Sequence, residues 1–346
     1  MTKQRSAFTI SNIYVSAVVG AGFATGQEIY SFFTRYGILG FLGVLISTVI
    51  LCVCGTLVLK KSLTYGLKTP FEMTEFKFGE KGASLIRALS VFMQFSVFIV
   101  MVAGLRTIIG KVGLTPLIGS LIVSGGVFFI ISSDVTRVIK FNSTLAPVVI
   151  IGITLTCIIL LALTLPKDFF SMIGSGTEAS DAPVMQYGFI LSAILYGFFN
   201  SLLAVPALCT YGDITGSSKK AITGGLIGGL LIGGMAFLSH AVIFSNSISG
   251  EMPIVDLAQR HMSVIGHLYQ IVIFAAMAGS AVICGKCTVD MLSLSSGKKT
   301  SWRTMKSLLV CAAAVPLSLM DFSGLIGILY PFLGAVGILA MILILW

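Results

Sequence analysis

Charge is what this sequence has least of: 10% of its 346 residues are Asp, Glu, Lys or Arg, against 56% hydrophobic. A soluble domain carries about 25% charged residues, so the deficit excludes a soluble fold. Histidine is scarce as well, with three in the chain. Cys284-Gly-Lys-Cys287 is a lone CxxC with no second pair and no nearby histidine, which argues against zinc. The seven cysteines are scattered, mostly within apolar stretches, and imply no disulfide framework. Basic stripes interleaved with aromatics are missing, as is any polar domain to carry them, so the net charge of +9 does not point to nucleic acid. No nucleophile motif such as GxSxG is present, and an enzyme built on His240 and the cysteines is the weakest reading.

What is present is a succession of apolar runs, each near the roughly 20 residues that cross a bilayer. Mean hydropathy is +1.02. The chain reads as an all-α integral membrane protein, one transmembrane domain over residues 1–346. Ten spans are expected, near 8–34, 38–59, 85–110, 114–132, 144–165, 184–210, 219–245, 264–291, 304–320 and 322–345. The first is too long for a cleaved signal and has Glu28 in place of a small-residue cleavage site. Basic residues settle the expected orientation. With the amino terminus inside, Lys3, Arg5, Lys60, Lys61, Lys77, Lys81, Arg137, Lys140, Lys219, Lys220, Lys298, Lys299 and Arg303 are cytoplasmic. Arg35, Lys111, Lys167 and Arg260 are left outside, together with the acidic Asp168, Glu178, Asp181, Glu251 and Asp256. That asymmetry predicts a multi-pass protein of the cell membrane with both termini cytoplasmic. Residues 62–83 predict an interfacial helix inside, and 247–262 a short external helix.

The first span departs from a plain membrane helix. Its middle reads VGAGFATGQEIYSFF from Val19 to Phe33, with Gly20, Gly22 and Gly26 followed by Gln27 and Glu28. Glycine costs about 1 kcal/mol per residue in a helix interior, and a carboxylate in hydrocarbon costs several more. Such costs mark a helix that breaks so that its freed backbone can bind something. The sixth span is interrupted in turn by Asn200, Ser201 and Pro206. Five spans per half give the halves opposite orientation, so a five-plus-five inverted repeat over about 8–165 and 184–345 is expected, with helices one and six broken.

GAGFATGQE at Gly20–Glu28, followed by Phe32–Phe33 and by YGILG at Tyr36–Gly40, resembles the YkvI-type bacterial membrane proteins. These look like distant members of the amino acid–polyamine–organocation superfamily, with the fold named after the bacterial leucine transporter. The resemblance implies mid-membrane breaks at Gly20, Ala21, Gly22 and Phe23 and at Phe199, Asn200 and Ser201. It also implies that the third span lines the site, which brings in Gln94 among Phe92, Phe95 and Phe98. Sodium-coupled relatives use adjacent hydroxyls on the eighth helix with first-helix carbonyls; here Ser280 is the only hydroxyl in AAMAGSAVICG. Proton-coupled relatives place a lysine in the fifth span, and 144–165 has none. No cofactor is implied, and coupling to H+ or to Na+ stays open.

A half-helix that starts in mid-membrane offers unpaired N–H groups to an anion, so Gly20–Gly26 is a candidate seat for an amino-acid carboxylate, its ammonium near sixth-helix carbonyls. The competing reading is close helix packing by small residues. Glu28 and Arg106, near the outer end of the third span, are candidates to pair as an external gate, or Glu28 to carry a proton. His240 is expected to find a hydrogen-bonded partner, Lys286 and Asp290 to pair at i,i+4, and Gly225, Gly229 and Gly233 to pack helices. The sequence therefore predicts a secondary transporter of a small solute, an amino acid first, working in the lipid bilayer by alternating access. The alternative is a solute sensor resembling the permease-like subunits of spore germinant receptors, which binds without carrying.

Overall fold

The computed structural model describes residues 7–67, 69–110, 113–132, 135–164, 183–212, 217–250, 252–293 and 300–345. The loop and terminal charges Lys3, Arg5, Lys111, Lys167, Asp168, Glu178, Asp181, Glu251, Lys298 and Lys299 fall outside them. The described residues are helical almost throughout. The first apolar run is divided into α1 (Ala7–Val18), α2 (Ala21–Thr25) and α3 (Gln27–Phe32), closed by a 3-10 turn at Thr34–Tyr36. Then come α4 (Leu39–Tyr65), α5 (Pro70–Gly110), α6 (Pro116–Ile131) and α7 (Val135–Thr164). The second half supplies α8 (Pro183–Gly212), α9 (Ser218–Ser245), α10 (Pro253–His261), α11 (Ser263–Ser293), α12 (Thr300–Leu317) and α13 (Phe322–Leu345).

Local chemistry sets the boundaries. Gly66 ends α4 in the left-handed conformation, φ 64°, and Pro116 and Pro253 open α6 and α10, where a missing N–H costs nothing. Gly79, with φ 65° and ψ −167°, kinks α5 and sets its first turns apart from the membrane part, as the interfacial segment required. Among the described residues seven helices are long and apolar enough to cross a bilayer, fewer than the ten spans expected. α1 is short because the glycines cut the first span, and α6 has 16 residues. α12 begins with Trp302, Arg303 and Lys306, which dilute its apolar character. Large apolar side chains such as Phe129, Ile328 and Ile271 are at least 65% exposed and spread around the molecule, which suits a lipid-facing belt.

Packing is organised by the two halves. α1 lies against α9 and α8 against α4, so that span one meets span seven as span six meets span two. In the same way α7 lies on α11 and α13 on α5, while α4–α9 and α5–α11 contacts cross between the halves. α9 approaches α4 through its glycines: Gly225, Gly229 and Gly233 face Thr56, Cys52 and Thr48, and a Cβ on Gly229 would stand 2.8 Å from the Cys52 backbone nitrogen. Neither backbone can yield there, so Gly229→Leu is expected to cost about 1–3 kcal/mol or more through overpacking. Gly234 on the same helix has nothing within 4 Å of its added Cβ and serves as control. Thermal unfolding of the purified variants checks this: the midpoint should fall for Gly229→Leu and hold for Gly234→Leu.

Candidate functional site

The first span breaks at two places. Val19 and Gly20 leave the helix after α1, with Gly20 extended (φ −109°, ψ −158°), and α2 then runs for five residues. Gly26 closes α2 in the left-handed region, φ 83°, donating its N–H to Phe23 O, and starts α3. Glycine alone takes that conformation cheaply. Ala21, Gly22 and Phe23 therefore sit inside α2, between the breaks, and not in an unwound stretch as the sequence suggested. Neighbouring spans partner the groups freed at the breaks. Ser280 Oγ of α11 donates to Val19 O at 3.5 Å, Tyr269 Oη to Ala24 O, and Ser192 Oγ of α8 to Phe32 O at 2.7 Å. Within the chain segment itself, Thr25 Oγ1 accepts from Gln27 N at 3.3 Å. Ser280 thus does meet a first-helix carbonyl.

The second expected break is not there. α8 is one helix from Pro183 to Gly212 and passes through Phe199, Asn200 and Ser201 without interruption. Residues that read as breakers are accommodated by bonding one turn back: Asn200 Nδ2 donates to Tyr196 O at 3.2 Å and Ser201 Oγ to Gly197 O at 2.7 Å. Pro206 removes one ladder bond further along, and Gln94 Nε2 of α5 donates to Leu203 O at 3.3 Å in that region.

Glu28 lies in the first turn of α3 and is 3% exposed. Its Oε1 accepts from Asn200 Nδ2 at 3.2 Å. Its Oε2 lies against Gly22, where an added Cβ would come within 2.9 Å of it. The Tyr196 hydroxyl, fully buried, stands beside the same carboxyl without closing a hydrogen bond. The expected gate with Arg106 is not formed: Arg106 Nη2 donates to Met320 O at 3.2 Å, and its side chain packs on Gly119 of α6. Arg106 lies on the α6 face of α5, while Glu28 faces α8. Among the described residues no cation forms a salt bridge with Glu28. A buried carboxylate without a counter-charge costs several kcal/mol, so its charge must be met by a proton or by a bound cation.

Around this pair is a small cavity of about 10 Å³, room for about one water molecule. Span one contributes Gly20 and Glu28, α8 contributes Phe199 and Asn200, α5 contributes Met101, α11 contributes Ser280, and α13 contributes Tyr330. The candidates Gly20, Glu28, Phe199, Asn200 and Ser280 are thereby brought together; Gln94 stands one contact away, through Leu203. Ser201 and Gly26 are not in the lining. Gly26 instead packs on Ile243 and Ile254. Tyr196 and Tyr330 were not picked out by sequence reasoning; a tyrosine one helical turn before Asn200 was the available signal.

The remaining charges pair near one end of α11. Lys286 Nζ lies 3.7 Å from Asp290 Oδ1 and donates to Ile131 O at 3.3 Å, and Arg303 joins the same carboxylate. His240 is buried, its Nδ1 3.0 Å from Thr34 Oγ1 and its ring 4.2 Å from that of Phe41. Among the described residues no three His, Cys, Asp or Glu side chains are placed to hold a metal ion.

No family model matches the chain. It is 26% identical over 341 residues to the uncharacterised membrane protein YkvI of Bacillus subtilis (strain 168), spanning 96% of this chain and 93% of that relative. It is 24% identical over 340 residues to the uncharacterised protein YyaD of the same organism, spanning 96% and 94%. Among solved structures it superposes on MhsT in complex with L-phenylalanine with a TM-score of 0.70 at 15% identity, over 99% of this chain and 89% of that one. It superposes on the manganese transporter of Eremococcus coleocola with a TM-score of 0.70 at 13% identity, over 98% and 78%. A sodium-coupled sialic acid symporter matches with a TM-score of 0.64 at 14% identity, over 97% and 79%. The chain is a homologue of YkvI, a membrane protein with the leucine-transporter fold that these solved transporters share.

Proposed function

We propose that this protein is a secondary transporter that carries a small organic solute across the cell membrane by alternating access. Ten spans in a five-plus-five inverted arrangement, both termini cytoplasmic, are the topology this reading uses. The observation that carries it is the place of the cavity. Its walls come from the twice-broken first span and α8 on one side and from α5 and α11 on the other. Spans one, two, six and seven form the bundle that rocks, and three, four, five, eight and nine the scaffold. A cavity this small is a closed arrangement, and movement of one group against the other is what would open it. Amino acids are the first class to test, and the coupling cation is H+ or Na+, with Glu28 the candidate carrier of the first and Ser280–Val19 O a partial seat for the second.

The test is counterflow in proteoliposomes. Vesicles loaded with one unlabelled solute at a time from a panel of amino acids and amines are diluted into the same labelled solute, with and without sodium, at two pH values. Saturable accumulation of label, absent from protein-free vesicles, is the expected result. A solute that binds the purified protein but never exchanges would overturn transport.

A further inference from the structure

We infer that the solute is held by a primary ammonium group, with Glu28 as its counter-ion and Asn200 Oδ1 as a second acceptor, and that the site has no seat for a solute carboxylate. This rests on the transporter reading and narrows its substrate class from amino acids to amines. The argument is an inventory of polar atoms around the cavity. The donors are spent on protein. Asn200 Nδ2 donates to Glu28 Oε1 and to Tyr196 O, both at 3.2 Å, Gln94 Nε2 donates to Leu203 O at 3.3 Å, and Ser280 Oγ donates to Val19 O. The acceptors are left over. Asn200 Oδ1 and Gln94 Oε1 are buried with no hydrogen-bond partner. The amide assignments are fixed by chemistry, since the partners on each nitrogen side accept only.

A site with surplus buried acceptors and a carboxyl without a cation is complementary to a ligand that brings donors and positive charge. An ammonium brings three donors and one charge. The cavity is of the size that such a head group fills. Phe199 and Tyr330 line it with ring centroids 4.6 Å apart, and aromatic faces attract cations. A solute carboxylate finds the opposite. The backbone around Gly22 already faces Glu28 Oε2, so a second anion there would meet like charge. The carboxylate-first arrangement expected from the glycines is thus replaced by one in which the chain supplies the carboxyl and the solute the amine.

Four probes test this on the purified full-length protein: methylammonium, isoamylamine, leucine and isocaproate. The last three share one branched tail and differ only in carrying the amine, both groups or the carboxylate. Binding is read by calorimetry near neutral pH, where the amines are protonated. Isoamylamine is expected to bind at least tenfold more tightly than leucine, methylammonium weakly, and isocaproate not at all. Glu28→Gln should lose the amine at least tenfold while unfolding at no lower temperature. Leucine binding more tightly than isoamylamine, isocaproate binding, or none of the four binding would each overturn the inference. The comparison needs only the unmodified protein, so it holds even if the variant does not fold. Leucine carried in vesicles without amine binding would sink this inference and leave transport standing; amine binding without counterflow would do the reverse.

Discussion

Replacing Glu28 by glutamine is expected to leave the protein folded, to abolish solute uptake at working concentrations and to flatten its pH dependence. Glutamine keeps an oxygen where Asn200 Nδ2 now donates at 3.2 Å, so the link between α3 and α8 survives. What is removed is the charge of a side chain only 3% exposed and without a protein cation. Removing one partner of a buried protein charge pair is costly because the other is stranded; here no protein partner is stranded, so stability should hold or rise. The solute's cation does lose its partner. Truncating a buried charge pair costs about 2–5 kcal/mol of affinity, which is roughly 30-fold to several thousandfold. The sign with pH follows from competition. A proton and an ammonium contend for the same carboxyl, so wild-type affinity weakens as pH falls through the titration of Glu28, whereas the glutamine variant cannot titrate there. Affinities at a series of pH values, with unfolding midpoints alongside, check both halves. A variant with wild-type affinity and the wild-type pH profile would remove Glu28 from the site.

That prediction joins two residues of which the sequence offered only one with its role. Glu28 was legible because a carboxyl within an apolar span needs a reason, and Gly20 and Gly26 because glycines gathered in a helix interior need one too. The partner of Glu28 was not legible. Charge arithmetic turns to another charge, and Arg106 was the one within the third span; the structure uses a neutral amide 172 residues away instead. Such a partner carries no signal in a single sequence, since any of several polar residues in the second half could have faced α3. The continuity of α8 was misread for a related reason. Asn200 and Ser201 are poor helix formers where their side chains compete with the ladder, but bonded to Tyr196 O and Gly197 O they leave it intact. Local pairs were easier. Lys286–Asp290 followed from i,i+4 spacing, while Arg303, on the next helix, could be added only by the fold. The small-residue spacing of Gly225, Gly229 and Gly233 translated directly into the α4–α9 contact, because backbone approach needs nothing but the absence of side chains.

Gly26→Ala is expected to be among the most damaging single methyl additions in the chain, and for two separable reasons. The first is conformational. Gly26 has φ 83°, and the left-handed region costs an L-residue about 1–2 kcal/mol. The second is steric. An added Cβ would stand 2.8 Å from Ile254 Cγ1 and 2.9 Å from Ile243 Cδ1, and both isoleucines are 0% exposed, so neither has room to retreat. Overpacking of that kind costs about 1–3 kcal/mol more. Gly66→Ala separates the contributions: Gly66 has φ 64° but nothing within 4 Å of its Cβ, so only the conformational cost applies. The unfolding midpoint should therefore fall further for Gly26→Ala than for Gly66→Ala, the difference measuring the packing against α9 and α10. Function should separate the two more sharply still. Gly26 is the joint between α2 and α3, so relief of the clash by tilting α3 would carry Glu28 away from Asn200 and from the cavity. Gly66 ends α4, outside the residues that line the cavity. Uptake is expected to be lost in Gly26→Ala even at temperatures where it remains folded, and kept in Gly66→Ala. Equal midpoints with equal uptake would mean that the bend at Gly26 is a tolerance of the chain and not the hinge that aims Glu28.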